Sequence, residues 1–561
     1  MIGNRLLFKV SYDCNEIMEH QDNKSQHIDN YLQNDVYDSY DEQEMPLLNE
    51  FSTTNYDNVF LMRIYQYYYH KGFNNIILKQ ITNLLNTIFI VLFTLFLLNC
   101  IDYERILKMD SKMYLYEFIH WNNFFTKMGF FSVICFIILV IFSAAKIIKL
   151  INSYKTYKII RNYYNYIFLI SDDELQSLEW NDVVKKMTNN VNIPFISSYT
   201  IANQIMRKEN YIIALISNHI ISCKYFSKII EISFIYCVID YFFDERYNIR
   251  DNLFYSGNHL EIIAHIKRRL KIMGFLYFLF MPFIFIYYLF HAIFKYGETF
   301  YNQPELLGTR KWSIASYWLF REYNELDHIF KNRLEEGKKC ANTYIEQFYS
   351  RLLETIVKFI IFICSAFLIV LILTSLLNEA IVMKLYISKN QSVLWYIGIL
   401  GTVITICKTF VHKKCNGNPN EIMEEIVNKV KYLPEKWIEN AHKSYIKDEF
   451  TKYYQYQIYI IIKECITIIL IPYILWNYCS DVDKIYNFLL DNTVHNEVLG
   501  YVCKFSIFCG YSNIEQENNN NISNMEHEEE LWIKTNKLQQ SFISFRQYNP
   551  GVNYKQIVTT V

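Results

Sequence analysis

Three polar residues lie in or beside an apolar run, and their chemistry calls for an explanation first. Thr402 and Thr405 belong to the run Asn390–Cys407, and Lys408 follows it directly. A hydroxyl or an ammonium group in hydrocarbon is costly unless it has a partner or faces water. The pattern therefore predicts one of two arrangements. The residues line a wet, polar path, or the hydroxyls bond to their own helix backbone while two nearby glycines permit close helix packing.

No motif indicates covalent chemistry. The sequence has no glycine-rich phosphate loop, zinc-protease helix, nucleophile elbow or kinase motif set. His412 and Cys415 have a spacing compatible with a metal, but no second pair of ligands accompanies them. His259 and Glu261 are candidates for contact with lipid headgroups, although solvated residues on a helix face are the more common explanation. We therefore expect a protein that is not an enzyme, with no catalytic residue, metal or cofactor.

The composition is that of an integral membrane protein. Hydrophobic residues make up 52% of the 561 residues and aromatic residues 17%, and long apolar runs carry no charge. The formal net charge is −1, so no general attraction to nucleic acid follows. The 13 cysteines are scattered, which favours reduced thiols over a disulfide framework.

Six apolar runs organise the chain. Four are long enough, or nearly so, to cross a bilayer: Ile81–Ile101, Met128–Ala145, Phe359–Asn378 and Asn390–Cys407. Two others contain proline, Ile272–Phe294 with Pro282 and Cys465–Ser480 with Pro472. Because proline removes a backbone donor and kinks a helix, these two are predicted to be re-entrant or covered by protein. Hydropathy alone also allows Ile272–Phe294 to cross fully.

Basic residues orient these runs. Five Lys and Arg side chains follow the second run, and four precede the first proline-containing run, so both flanks are expected in the cytosol. The same tendency places both termini and residues 298–353 in the cytosol. The predicted organisation is a disordered acidic tail (1–55), two spans with a luminal loop (56–150), a cytosolic helical region with a re-entrant helix near 272–294 (151–358), two spans (359–411), a cytosolic core with a re-entrant helix near 465–480 (412–511) and a polar disordered tail (512–561).

The stretch Phe290–Phe348 shows the clearest helical period outside the apolar runs. Seven apolar residues recur every three or four positions: Trp312, Ala315, Leu319, Tyr323, Leu326, Phe330 and Leu334. Arg321 with Glu325 and Asp327 with Lys331 are opposite charges one turn apart. The pattern predicts an amphipathic helix that lies against a protein core or a membrane surface and does not span the bilayer.

Several motifs, in a fixed order over roughly residues 55–510, resemble the autophagy-related protein 9 family. The first lies at 179–184 and 205–215, and its matching residues are Glu179, Trp180, Val183, Val184, Ile205, Arg207, Asn210, Tyr211, Ala214 and Leu215. The strongest is in the amphipathic stretch, with Leu307, Gly308, Arg310, Trp312, Arg321, Asn324, Glu325, Leu326, Arg333 and Leu334. A third comprises Leu433, Pro434, Trp437, Asn440, Ala441, His442, Asp448, Glu449 and Phe450, followed by GYVCKF at 500–505.

The resemblance implies an all-α, polytopic fold with four spans and two re-entrant helices around a cytosolic helical layer. It implies a homotrimer that scrambles phospholipids between leaflets without ATP while autophagosomal membranes grow. The implied partners are phospholipids and a lipid-transfer protein of the autophagy-related protein 2 type. The implied locations are the phagophore, Golgi-derived vesicles and endosomes.

The resemblance also bears on the site. The family has a branched polar cavity, and Thr405 matches one of its threonines, which favours the wet path. Members carry a charged Lys-Arg-Glu triplet before the proline that Pro304 matches, where this chain has Tyr301, Asn302 and Gln303. These side chains still offer hydrogen bonds, so we keep them as candidates at the mouth of the path. A scaffold that seeds membranes without moving lipid, and less favourably an ion channel or transporter, are the alternative functions.

Overall fold

The structure is a computed structural model, and helices dominate it. It describes residues 58–107, 118–121, 124, 129–190, 197–222, 226–302, 309–348, 350–377, 386–388, 391–408, 411, 417–432, 434–437, 439–497, 499–508 and 537–549. The predicted acidic tail, Gln303, and the pair His412 and Cys415 lie outside these residues. The prediction of an all-α membrane fold is confirmed, because the strands in the described part form only short two-stranded ladders.

The part of the chain before the first strand is helical. Its helices are α1 (Asn58–Tyr69), α2 (Phe73–Cys100), α3 (Tyr103–Leu107), α4 (Phe130–Asn162), α5 (Trp180–Asn190), α6 (Ser198–Ile205), α7 (Arg207–Ser217), α8 (Lys228–Phe234), α9 (Asp240–Phe242) and α10 (His259–Asn302). Two π-helical turns, Tyr163–Ile167 and Ile235–Ile239, extend α4 and join α8 to α9.

Short strands interrupt the second half. The elements are β1 (Arg310–Trp312), α11 (Ile314–Phe320), α12 (Asp327–Glu346), α13 (Arg351–Leu377), β2 (Tyr386–Ser388), β3 (Gln391–Ser392), α14 (Val393–Lys408), α15 (Pro419–Val430), α16 (Ser444–Tyr453), β4 (Tyr454–Tyr456), α17 (Gln457–Asp491), β5 (Thr493–Asn496), β6 (Gly500–Cys503) and α18 (Lys537–Tyr548). The three ladders are antiparallel and pair β1 with β4, β2 with β3 and β5 with β6.

The chain divides into two compact units. The described part of the smaller one comprises residues 58–78 and 151–190, and the larger one takes in 79–150 and everything from 197 onward. Aromatic packing holds the smaller unit: Tyr65 meets the edge of Trp180 at a centroid distance of 5.1 Å, and Tyr67 stacks on Tyr164 at 4.7 Å. The motif residue Trp180 is therefore part of a core.

In the larger unit, one group of helices packs together into what we call the helical layer: α6, α7, α11, α12, α15 and α16. Its apolar core is built around Phe330, Trp437, Phe450 and Tyr454, all of them buried. Helices α12 and α15 pack along each other. Trp312 of β1 donates its indole N–H to the Leu334 carbonyl at 3.0 Å, which fixes β1 against α12.

The single amphipathic helix predicted through 312–334 is wrong in its middle. Helix α11 ends at Phe320, α12 begins at Asp327, and between them Asn324 adopts a left-handed backbone with φ of 58°. Side chains replace the missing helical bonds there, since Asn210 Oδ1 accepts the Asn324 N–H at 3.0 Å. The predicted burial of the apolar face is confirmed, with Tyr323 and the apolar residues after it in the core.

Of the two predicted ion pairs, Asp327 with Lys331 is present, at 3.9 Å. Arg321 does not pair with the Glu325 carboxylate; it donates to the Asp327 carboxylate and to the backbone carbonyl of Glu325. The Glu325 carboxylate instead accepts hydrogen bonds from Nε and Nη2 of Arg333, both at 2.8 Å. Both side chains are at most 5% exposed. The break in the helix explains the exchange, because residues 321 and 325 no longer lie one helical turn apart.

The C-terminal region differs from the predicted disordered tail at one place. Residues 537–548 form α18, whose Ser541, Ser544 and Phe545 are buried. Polar composition suggested disorder, but the helix presents Phe542 and Phe545 to Phe508, at centroid distances of 5.6 and 5.8 Å.

The Arg333–Glu325 pair generates a stability prediction. Replacing Arg333 with Met leaves the Glu325 carboxylate buried without its partner, which costs about 3–5 kcal/mol of unfolding free energy. Lys338→Met is the matched control, since its ion pair with Glu335 is exposed and contributes at most about 1 kcal/mol. Unfolding in nanodiscs should separate the two variants. Equal stabilities would contradict the role assigned to the buried pair.

Candidate functional site

Helix α14 carries the polar residues that the sequence singled out, and it packs along α13. The Thr402 hydroxyl is exposed and donates to the Ile399 carbonyl at 2.8 Å. The Thr405 hydroxyl is half-buried and donates to the Gly401 carbonyl at 2.7 Å. These bonds satisfy the hydroxyl protons but leave oxygen lone pairs that can accept a hydrogen bond. Lys408 ends the helix with its side chain exposed.

In the part of the chain that the structure describes, no neighbouring element packs closely on the two glycines of α14. Apart from the helix's own nearby backbone, a Cβ built on Gly398 or on Gly401 would meet no described atom within 4 Å. The backbone bonds expected in the packing alternative are therefore present, but its tight helix contact is not. What remains is a helix with hydroxyls and open space beside its glycines, an arrangement that a polar group can approach.

Helices α10 and α17 form the second feature, which we call the proline helix pair. They run antiparallel: Lys267 forms an ion pair with Asp483 at 2.6 Å near one end, and Tyr296 bonds to Gln457 near the other. At Gly274 the helices come so close that a Cβ would lie 2.8 Å from the Trp476 indole nitrogen. A larger residue at position 274 would have to displace the half-exposed Trp476 indole.

The two prolines of the pair lie inside continuous helices. Pro282 is within the 44 residues of α10 and Pro472 within the 35 residues of α17, so neither ends its helix. The Pro472 carbonyl lies 3.4 Å from the Cβ position of Gly274, which puts the prolines within about two helical turns of each other along the pair. The expected proline-containing segments are thus paired with each other.

Helix α8 and the π-helical turn after it cover one side of the pair. The Lys228 N–H at the start of α8 donates to Glu464 of α17 at 2.9 Å, and Ser233 donates to the Tyr277 hydroxyl of α10 at 3.0 Å. Further along, Arg269 donates to the Tyr236 carbonyl at 2.7 Å. In the apolar stretch of α17, 33% of the residues are buried by protein, whereas the share is 6% in the apolar stretches of α10 and α13.

Both ends of the pair are joined to the helical layer. At one end the Gln457 N–H donates to the Thr309 carbonyl at 3.0 Å, beside the β1–β4 ladder that leads into α11. At the other end Thr493, just after α17, shares a hydrogen bond of 2.9 Å with Tyr211 of α7. Because both ends of the pair are attached to one layer, the attachment limits how the pair can insert into a membrane.

The remaining predicted site residues are not brought together. His259 begins α10, where its ring meets the edge of Tyr486 at 5.4 Å, and Glu261 is exposed, 3.6 Å from His265. Tyr301 and Asn302 end the same helix, roughly 60 Å away along a straight helix. The two groups therefore belong to opposite ends of the proline helix pair.

Sequence reasoning missed Glu464. It is 7% exposed, and its Oε2 atom has no hydrogen-bond partner in the part of the chain that the structure describes. Glu464 directly precedes the predicted run Cys465–Ser480, and the sequence there does not indicate which group bonds to its carboxylate. That group is the first backbone N–H of α8, so Glu464 anchors α8 to α17.

Length and apolarity alone do not reproduce the predicted division into spans and re-entrant segments. Within the described residues, α2, α4, α10, α13 and α17 are long and apolar enough to cross a membrane, while α14 has only 16 residues. The four-span topology therefore stays a prediction. No group of three or more metal-ligating side chains occurs among the same residues.

The sequence is similar to known proteins over most of its length. The profile of the family described as autophagy protein ATG9 matches residues 52–509. A Dictyostelium discoideum protein named autophagy-related protein 9 is 31% identical over 88% of this chain and 72% of its own length. Proteins of the same name from Kluyveromyces lactis and Saccharomyces cerevisiae are each 29% identical over 80% and 82% of this chain.

The solved structures give the same picture for the fold. A cryo-EM structure of Schizosaccharomyces pombe Atg9 is similar with a TM-score of 0.61 and 25% identity, over 80% of this chain and 98% of that one. The chain spans about half the length of the fungal relatives, 52% of the Kluyveromyces protein and 48% of the Saccharomyces protein.

Proposed function

The chain belongs to the ATG9 family of autophagy proteins, and on that premise we propose that it is an ATP-independent phospholipid scramblase acting as autophagosomal membranes expand. The observation that carries the proposal is α14. It offers two hydroxyls and a terminal ammonium group on an apolar helix, with open space beside its glycines. Such a helix can accompany a polar headgroup while the acyl tails stay in hydrocarbon.

The physical task is to lower one barrier. A lipid flips slowly without help because its charged headgroup must cross a layer of low dielectric. Thr402 and Thr405 would accept hydrogen bonds from the headgroup, and Lys408 would attract its phosphate at the end of the helix. Tyr301, Asn302 and Gln303 remain candidates at the mouth of the path, and His259 and Glu261 at the other end of α10. No bond is made or broken, so the mechanism requires no catalytic residue or cofactor.

The topology proposed is four spans with both termini in the cytosol. Helices α2, α4, α13 and α14 cross, and the proline helix pair enters and leaves on the cytosolic side. The connections of both ends of the pair to the helical layer support this, because a layer that stays on one side of a membrane cannot hold both ends of a spanning pair. The hydrogen bonds from α8 to α17 and to α10 support it further.

The assembly proposed is a homotrimer at phagophore, Golgi-derived vesicle and endosomal membranes, supplied with lipid by a transfer protein of the autophagy-related protein 2 type. Family membership supports these points. Mass photometry of the folded protein in nanodiscs should give the mass of three chains. Single chains alone, at concentrations where the fold is intact, would contradict the trimer.

The lipid path is tested by adding bulk at Thr405. Thr405→Trp should abolish most leaflet exchange, since the indole fills the space beside the glycines and removes a hydroxyl. Ile406→Trp is the matched control, because this neighbour on α14 is 45% exposed and turns to another face. Proteoliposomes with fluorescent lipids and an impermeant quencher give the readout. Normal exchange by folded Thr405→Trp protein, or an equal loss in the control, would remove Thr405 from the path. No exchange by the unmodified protein would favour the scaffold instead.

Topology is tested at Glu335, an exposed residue of α12. A cysteine placed there should react with an impermeant maleimide from the cytosolic side of sealed vesicles. A cysteine in the connection between α2 and α4 should react only from the luminal side. Labelling of position 335 from the lumen would replace the proposed topology with one in which α10 and α17 both span.

A further inference from the structure

The C-terminal helix α18 lies past the residues that the family profile matches, and it packs on the larger unit. Lys537 Nζ donates to Ser217 Oγ at 2.7 Å and to the Leu319 carbonyl at 3.0 Å. The Tyr323 N–H donates to Ser541 Oγ at 3.1 Å. Residues 509–536, outside the described part, connect the helix to Phe508, so its docking is a contact between distant parts of the chain.

The helix covers the segment 321–326 between α11 and α12. Ser544 Oγ donates to Glu322 Oε1 at 3.0 Å, and both side chains are 3% exposed. Phe545 packs against Phe508 at 5.8 Å and Tyr199 at 6.1 Å. A neutral hydroxyl therefore closes a buried site that already contains the carboxylates of Glu322 and Glu325.

The electrostatics of this contact are delicate. Burial, together with the nearby Glu325 carboxylate, raises the pKa of Glu322 to about 7, although Arg333, Lys431 and the bond from Ser544 oppose the shift. Tyr548 of α18 also faces this group of charges. An added negative charge would lie out of water beside two carboxylates, and Arg333 is already bonded to one of them.

The helix itself has little independent stability. With 12 residues it is at the length where isolated helices are marginal in water, so its helicity depends on docking. A single element of a fold can open locally at a lower free energy than the global fold. Opening of α18 therefore does not require the layer beneath it to unfold.

We propose that α18 is a releasable clamp on the segment 321–326, and that the Ser544–Glu322 contact makes its release sensitive to negative charge. Release uncovers Glu322 and the aromatic side chains of Tyr199, Tyr323 and Phe508, which α18 otherwise seals. The Arg333–Glu325 pair below stays in place, because its bonds come from α12, α15 and the segment itself. The clamp is independent of lipid exchange and of the proposed function.

The direction of pH dependence follows. Helix α18 supplies part of the burial that raises the pKa of Glu322, and this effect outweighs the opposing bond from Ser544. The docked state therefore binds more protons than a released state in which Glu322 is in water, and docking weakens as pH rises towards 7. Glu322→Gln keeps the hydrogen bond with Ser544 and abolishes this dependence.

Hydrogen exchange of the full chain in nanodiscs, measured by mass spectrometry, tests the clamp. Ser544→Glu should speed exchange in 537–548 and 321–326 by about ten-fold or more, because it buries an unpaired charge. Gln547→Glu is the control, since it adds the same charge at an exposed position of the same helix. Protection in Ser544→Glu equal to that of the unmodified chain, or equal loss in the control, would overturn the proposal.

A second pair of samples covers the case in which Ser544→Glu disturbs the whole layer. After correction for intrinsic exchange rates, the unmodified protein should protect 537–548 better at pH 5.5 than at pH 7.5, and Glu322→Gln should show no such difference. An identical pH dependence in the two proteins would overturn the charge-sensitive contact.

Discussion

The buried guanidinium of Arg333 is the interaction on which the helical layer depends. Two of its N–H groups meet the Glu325 carboxylate, and the others reach the carbonyls of Phe320, Lys429 and Val430. One side chain thus ties together the end of α11, the segment 321–326, α12 and the end of α15. The carbonyls at the C-terminus of α15 lack helical partners and carry partial negative charge, so a cation is well placed there. Removing it would leave the buried Glu325 carboxylate without its cation, with the Glu322 N–H still donating to it, and would take a donor from several carbonyls.

The neighbouring asparagines extend this network towards the membrane helices. Asn324 donates to the Ser506 carbonyl at 2.8 Å, and Asn210 donates to Asn324 Oδ1 at 2.8 Å. One turn earlier, Arg207 donates to the Leu499 carbonyl in the connection between β5 and β6, just beyond α17. Buried polar groups must be satisfied, so each bond fixes the position of the next element. Through these hydrogen bonds the helical layer holds the end of the proline helix pair at the C-terminus of α17. The β1–β4 ladder holds the other end, at Gln457.

The sequence predicts burial better than it predicts backbone path. Periodicity correctly places Tyr323, Leu326 and Phe330 in a core, because burial depends on side-chain type and spacing. It misses the break at 321–326, because the left-handed Asn324 is stabilised by Asn210, over a hundred positions earlier, and no local pattern reports that partner. Many motif residues behind the family resemblance prove to be architectural, as Arg333 and Trp180 show. At the candidate site, the free-energy cost of a hydroxyl in hydrocarbon identifies Thr402 and Thr405 from the sequence. The bond between Glu464 and α8 becomes visible only when the tertiary position of α8 is known.

The helical layer holds the larger unit together, and α14 is the short helix proposed to contact lipid. Polar bonds determine the first, and open space beside two glycines distinguishes the second. The most direct measurement is leaflet exchange by the purified, unmodified chain in vesicles without ATP, with labelled lipid in both leaflets and an impermeant quencher outside. The account predicts that quenching proceeds beyond the outer leaflet until nearly all label is lost. Quenching that stops at the outer-leaflet label, with folded protein inserted in every vesicle, would contradict it.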